Sequence, residues 1–226
     1  MKTSHIIEIG ERLDALRTED IESAVREADP CLQSSDLAEV AACENFAPSR
    51  RAEFLSGRAC AREALQALGY QDSKLAADPD GVPQWPAGSV GSITHSRGCC
   101  GAVAAQAENY TGLGLDFEQT GRLSDAAAKR VVHPMEAVFA SGHAEGATIL
   151  FSLKEAFYKA QFPKWRVRAN FQDIALAVDL EAGIAELALV NESLGALAVN
   201  ASSRFKFRFA QTEYMVLSLC SVLPDS

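Results

Sequence analysis

Apolar side chains recur at helical spacing from Pro48 onward, in PSRRAEFLSGRACAREALQALG, where Phe54, Leu55, Ala59, Ala61, Leu65 and Leu68 follow a 3.6-residue repeat. The spacing predicts a helix with Ser49 as N-cap and Gly69 as its stop. Ahead of it, residues 20–28 are dense in charge and read as a surface helix or loop, with Pro30 marking a break. Residues 78–91 (DPDGVPQWPAGSVG) form a Pro- and Gly-rich connection. Residues 92–94 and 101–106 read as two strands joined by a turn near Arg97-Gly98. YTGLGLDFE is a further β-type run that ends in acid; residues 123–142 and 147–162 return to helical periodicity. Four short strands follow from Ile174, the last over 214–222, and no short repeat is visible. This order predicts an α+β fold in two halves, residues 1–110 and 111–226.

The chain's 226 residues suffice for two compact halves, and 48% apolar with 23% charged residues is ordinary for a globular enzyme. The N-terminus, MKTSHIIEIGERLD, lacks the apolar core of a secretory signal. No apolar run approaches the roughly 20 residues that cross a bilayer. These features predict a cytoplasmic protein with no membrane contact. Six cysteines occur without a CxxC pair, and Cys99 directly adjoins Cys100, so reduced thiols are expected rather than disulfides or a metal site.

The net charge of −9 argues against a nucleic-acid partner. Its distribution says more: residues 1–44 hold four basic and eleven acidic side chains, and the rest is nearly neutral. Basic residues then cluster, as Arg50, Arg51, Arg58 and Arg62, and as Lys154, Lys159, Lys164, Arg166 and Arg168. Two such clusters fit an anionic small-molecule site better than solvated helix faces do.

Asp116 and Glu118 stand two apart on a strand, so both carboxylates project from one face. A hard cation relieves their repulsion, and Mg²⁺ typically takes one or two carboxylates plus substrate phosphates. By itself the pair is a weak signal and reads first as a solvated strand end. In FSLKEAFYK, Glu155 and Lys159 share a helix face, either as a plain i,i+4 ion pair or as a base and a phosphate neutraliser. His95 lies in GSITHS among small and hydroxyl side chains that suit the close approach of an anion.

In chain order the motifs read RRxEFxxGR (50–58), GxPxWPxGxxGSITHS (81–96), GxDxE (114–118) and FSxKEAxYK (151–159). Together they resemble the 4'-phosphopantetheinyl transferase superfamily, of the enterobactin and surfactin synthetase type, over residues 45 to 180. The resemblance implies two similar α+β halves related by a pseudo-twofold, with coenzyme A in the cleft between them. It implies a Mg²⁺-dependent transfer of 4'-phosphopantetheine from coenzyme A to a serine of an apo acyl or peptidyl carrier protein, with 3',5'-ADP released. The N-terminal half would take the 3'-phosphate and adenine side, through Arg50, Arg58, Thr94 and His95 and the turn Gly81-Val82-Pro83. In the C-terminal half, Asp116 and Glu118 would hold Mg²⁺, with Phe117 adding only its backbone. Lys154 and Lys159 would neutralise the diphosphate, and Glu155 would be a third metal ligand or the base for the serine. The set named as catalytic is Glu155, Lys159 and Asp116. Two departures from the family pattern stand out: Asp80 where relatives place a lysine, and the bulky Phe117 where they place isoleucine or alanine.

Carriers of this class are acidic around their serine, so a basic patch is expected to receive them. Arg122, Lys129 and Arg130 are the candidates, with Val131, Val132 and Met135 as apolar neighbours. The resemblance further implies a monomer, and leaves open whether the carrier belongs to siderophore, nonribosomal peptide, polyketide or fatty-acid synthesis. Other readings of the same acids are a Mg²⁺-dependent phosphohydrolase of coenzyme A-like diphosphates and a carrier-binding module without catalysis.

Overall fold

The computed structural model of the chain describes residues 3–71, 73–195, 197 and 204–224. It divides into two compact units, Met1–Asn109 and Tyr110–Ser226. Both are α+β and share one plan, a 20-residue helix packed on an antiparallel sheet.

The N-terminal unit comprises α1 (Thr3–Leu16), β1 (Ile21–Glu27), α2 (Leu37–Ala42), α3 (Pro48–Ala67), β2 (Ser89–Ser96) and β3 (Cys99–Gln106). Its sheet has the order β1-β3-β2. The charged stretch expected to be a surface helix or loop is therefore a strand, paired along its whole length from Ile21↔Ala105 to Glu27↔Cys99. Only Ile21 and Ala24 are buried in β1, so the alternation that marks a strand is faint, and pairing with β3 overrides the local signal. Helix α3 seats Cys60, Ala61, Ala64 and Leu65 against Ala24, Cys100, Ala102 and Ala104. It starts earlier than expected: Pro48 takes the first helical position, where its missing N–H is harmless, and Ala47 rather than Ser49 is the N-cap. Its end is as expected. Gly69, at φ +94°, lets its own N–H reach Gln66 O at 3.0 Å and that of Tyr70 reach Leu65 O at 2.9 Å.

The C-terminal unit comprises β4 (Gly112–Gln119), α4 (Asp125–Val131), a 3-10 turn (Pro134–Glu136), α5 (Ala137–Gly142), α6 (Gly146–Trp165), a second such turn (Phe171–Asp173), β5 (Ile174–Asp179), β6 (Ile184–Val190), β7 (Phe205–Gln211) and β8 (Met215–Val222). The sheet order is β4-β8-β7-β6-β5, so β4 is an edge strand, in unbroken register with β8 from Gly112↔Val222 to Gln119↔Met215. The helix expected over 123–142 is broken. The interruption comes at Pro134, whose ring disfavours helical backbone at His133, and the segment becomes three short pieces.

Helix α6 buries twelve of its twenty residues. Leu153, Ala156, Phe157 and Ala160 join Phe205, Phe207, Val216, Cys220 and Val222 in one core, with the Phe157 ring 4.9 Å from that of Phe205. The contact with β4 is closer still. A Cβ on Gly114 would lie 1.8 Å from Ala156 O, and one on Gly112 would lie 2.3 Å from Ala160 O. Glycine is required there by contact, because any side chain meets helix backbone that cannot swing away. Gly114→Ala is expected to lower the unfolding free energy by about 3 kcal/mol or more, the upper range for overpacking, read from urea unfolding. A loss below about 1 kcal/mol would mean that α6 moves off the strand freely.

Candidate functional site

The strand β4 and the helix α6 bring four of the expected residues together in the C-terminal unit. Asp116 is buried, and its Oδ1 accepts a hydrogen bond from Lys159 Nζ at 2.7 Å. The same ammonium donates to Leu115 O at 2.9 Å. The second oxygen, Asp116 Oδ2, is buried and has no hydrogen-bond partner among the described residues. Glu118 sits two residues on, with Arg122 Nη1 3.9 Å from its carboxylate. Burial, and then the charge of Asp116, push the Glu118 carboxyl up to about 7 against the pull of Arg122 and Lys159. Glu155 on α6 is raised for the same two reasons, with Lys159 opposing.

Three carboxylates thus repel one another around a buried oxygen that lacks a partner, and Lys159 offsets only part of the charge. A divalent cation fits this donor set. Among the described residues no group of three or more acidic, His or Cys side chains is placed to hold a metal ion by itself. Phe117 is fully buried and alternates away from its two acidic neighbours, so only its backbone is available to the site.

Lys154 departs from expectation. Its ammonium is buried and donates to Val131 O, Glu136 Oε2 and Phe171 O at 2.8–2.9 Å, the full capacity of the group. Burial lowers its pKa and Glu136 raises it. In this structure all three of its hydrogens are engaged within the chain, where a contact with the diphosphate was expected. Its partner Glu136 escaped the sequence analysis because it lies eighteen positions away in a stretch expected to be one helix.

In the N-terminal unit, α3 and β2 bring Arg50 against His95, through Arg50 Nη1 and His95 Nε2. Glu53 joins them, 3.4 Å from His95 Nδ1, and also accepts from Gly98 N at 3.1 Å. Nothing in the sequence singled out Glu53 beyond its place in the motif. Arg58 lies about two helical turns beyond Arg50 and is 3% exposed, stacked 5.0 Å over the Phe54 ring. Its Nε and Nη1 have no hydrogen-bond partner among the described residues. Burial lowers its pKa, and Glu39 works in the opposite direction. Buried guanidinium donors without acceptors suit an anion. Thr94 is buried beside His95 in β2. Gly81-Val82-Pro83 form a separate turn in which Asp78 Oδ1 accepts from Asp80 N and Val82 N at 3.0 and 2.9 Å, with Gly81 at φ +83°.

The six cysteines are free thiols, five of them buried. Desolvation pushes Cys60 up to about 11 and Cys99 up to about 12, which removes them as nucleophiles. Among the described residues no helix is long and apolar enough to cross a membrane.

Comparison with known proteins places these motifs. A family model described as the 4'-phosphopantetheinyl transferase N-terminal domain matches residues 38–105, and one described as the 4'-phosphopantetheinyl transferase superfamily matches residues 112–202. The 4'-phosphopantetheinyl transferase Svp of Streptomyces mobaraensis is 35% identical over 183 residues, covering 77% of this chain and 73% of the relative. The 4'-phosphopantetheinyl transferase PptT of Mycobacterium tuberculosis is 34% identical over 58% of this chain and 60% of its own length. Enterobactin synthase component D of Escherichia coli K12 is 32% identical over 49% of this chain and 54% of its own length. The last two alignments each span less than two thirds of the relative.

The acidic cluster has a consequence for stability. Glu118 titrates near 7 in the folded chain, above its ordinary 4.5, so between those values the folded chain holds a proton that the unfolded chain has lost. Stability is therefore expected to fall as pH rises from about 4.5 to about 7, by up to ~1.4 kcal/mol per pH unit. A cation that binds the ionised carboxylates should reverse this, so the rise in melting temperature on adding Mg²⁺ should grow between about pH 5 and pH 8. A Mg²⁺ effect that is absent, or constant across that range, would remove the metal assignment.

Proposed function

The chain belongs to the 4'-phosphopantetheinyl transferase superfamily, and from that membership we propose that it transfers 4'-phosphopantetheine from coenzyme A to a serine of an apo acyl or peptidyl carrier protein. The observation that carries the reading is the group Asp116, Glu118, Glu155 and Lys159, with its buried oxygen lacking a partner. The basic group of the N-terminal unit, Arg50, Arg58, Thr94 and His95 with the turn Gly81-Val82-Pro83, recognises the 3'-phosphate and adenine of the donor. The C-terminal unit takes the pyrophosphate.

Asp116 and Glu118 would hold Mg²⁺, with Glu155 beside them, and the ion would supply positive charge to the pyrophosphate. The serine oxygen attacks the β-phosphorus, and the bond from that phosphorus to the bridging oxygen of the leaving 3',5'-ADP breaks. Glu155 accepts the serine proton; burial and then the charge of Asp116 raise its pKa, with Lys159 opposing. Lys159 holds Asp116 in place and adds positive charge where the pyrophosphate develops negative charge. We place the reaction in the cytoplasm and the enzyme as a monomer. Because one relative is a component of enterobactin synthase, carriers of siderophore and other peptide synthetases are the first acceptors to test.

The carrier docks on Arg122, Lys129 and Arg130, which are exposed or half-exposed around α4. Val131 is buried and takes no part; the apolar contribution comes instead from Met135 and Val138, 59% and 86% exposed. A groove of about 620 Å³ is lined by Leu123, Ala128, Lys129, Val132, Ala137 and Thr148, among others.

Incubating the protein with coenzyme A, Mg²⁺ and a panel of apo-carriers should add the phosphopantetheine mass to the carrier, and Asp116→Ala should abolish the addition. Release of 3',5'-ADP without any carrier would instead mark a hydrolase. Alanine at Arg50, Arg58 or His95 should weaken coenzyme A at least about tenfold while affecting 3'-dephospho-coenzyme A little, since each removes a charged hydrogen bond worth about 1.5–3 kcal/mol. Equal losses for both donors would move the 3'-phosphate elsewhere. Reversing Lys129 and Arg130 to glutamate should raise the carrier KM at low salt and less so at high salt, with coenzyme A affinity unchanged. An unchanged carrier KM at low salt would free this patch of the role.

A further inference from the structure

The reaction as drawn leaves one buried ion pair without a part to play. Lys154 Nζ reaches Glu136 Oε2 at 2.8 Å, Val131 O at 2.9 Å and Phe171 O at 2.8 Å. Glu136 Oε2 also accepts from His133 N at 2.7 Å, and its Oε1 accepts from Leu176 N at 2.8 Å. The two side chains are 1% and 0% exposed. A single pair therefore joins the end of α4, the turn before α5, the turn before β5, β5 itself, and α6.

Such a pair is a weak source of stability, because desolvating two charges uses up most of their attraction, and apolar replacement of both is often neutral. What it supplies is direction. Consecutive helical residues point about 100° apart, so holding residue 154 on three fixed acceptors also sets where residue 155 points. Lys159 provides a second fixed point on the same helix through Leu115 O and Asp116. With both anchored, α6 can neither turn about its axis nor slide along β4.

We propose that the Lys154–Glu136 pair is a positioning device that sets the rotation and register of α6, so that Glu155 is aimed at the serine proton, while Lys154 itself never touches the donor. This rests on the transferase reading above. It separates two lysines that the motif presents alike: Lys159 belongs to the site and Lys154 to its mounting. The pair is fully enclosed and its hydrogen-bonding capacity is met by the chain, which is the opposite of what a phosphate ligand needs.

Two measurements test it. In the wild-type protein, amine acetylation read by peptide mass spectrometry should modify Lys154 on the order of tenfold more slowly than Lys159, with no change when coenzyme A and Mg²⁺ are added. Lys154 labelling that is ready in the free protein and suppressed by coenzyme A overturns the proposal. In Glu136→Gln/Lys154→Met no charge is left unpaired, so the unfolding midpoint should stay near that of the wild type. Its kcat should nevertheless fall roughly 10²-fold, with the coenzyme A KM changed less than about twofold. A folded double variant with unchanged kcat overturns the proposal, and so does one in which the coenzyme A KM rises while kcat holds. The labelling needs no substitution, so a variant that fails to fold leaves that test standing. A wild-type protein that modifies no carrier defeats the transferase reading, whereas the labelling result still reports on the mounting of α6.

Discussion

The packing of α6 directly on β4 is the constraint from which the C-terminal unit follows. Gly112 and Gly114 remove the side chains that would otherwise hold helix and strand apart, and Ala156 and Ala160 are the matching small residues on the helix. The short separation lets Lys159 reach both Leu115 O and Asp116. It also brings Glu155 close enough to Asp116 for their charges to interact. A side chain at either glycine would push helix and strand apart and lengthen the contact of Lys159 with Leu115 O and Asp116. Gly114 of the GxDxE segment, like Gly112 before it, thus acts through distance alone.

The two units solve opposite electrostatic problems. On β4 and α6, acids are gathered beyond what the local base can neutralise, and a cation is called for. On α3 and β2, the excess is of donors: Arg58 buries two N–H groups without acceptors among the described residues, and Arg50 is set against His95. The net charge of −9 is accordingly uneven along the chain: acid is concentrated in residues 1–44, and the arginines of α3 follow after it in sequence.

Elements with strong local signals were legible in the sequence. The helix from Pro48 to its glycine stop, the Arg97-Gly98 hairpin and the strands after Ile174 emerge where periodicity and turn chemistry put them. Asp116, Glu118, Glu155 and Lys159 were identifiable because strand and helix periods place each pair on one face, although their meeting is a tertiary fact. What escaped were features that depend on long-range partners. The strand β1 is half polar and exists because β3 pairs with it. Lys154 looked like a twin of Lys159 because a sequence shows charge and spacing but not enclosure; Glu136 decides the matter from another segment. Val131 looked available beside Arg130 and is instead part of the core.

The pairing of β4 with β8 joins residues 112–119 to residues 215–222, so the acidic strand is an edge whose sheet neighbour lies about a hundred positions later. During synthesis, Asp116 and Glu118 leave the ribosome long before the strand that supports them. The nascent chain carries an unpaired edge and mutually repelling acids through most of the translation of this unit. Closing that loop is entropically expensive and slow compared with forming α6, which needs only local contacts. The acidic strand therefore lacks its sheet partner until β8 has been made, and truncated or stalled products that end before it possess the same acidic residues without a strand to hold them.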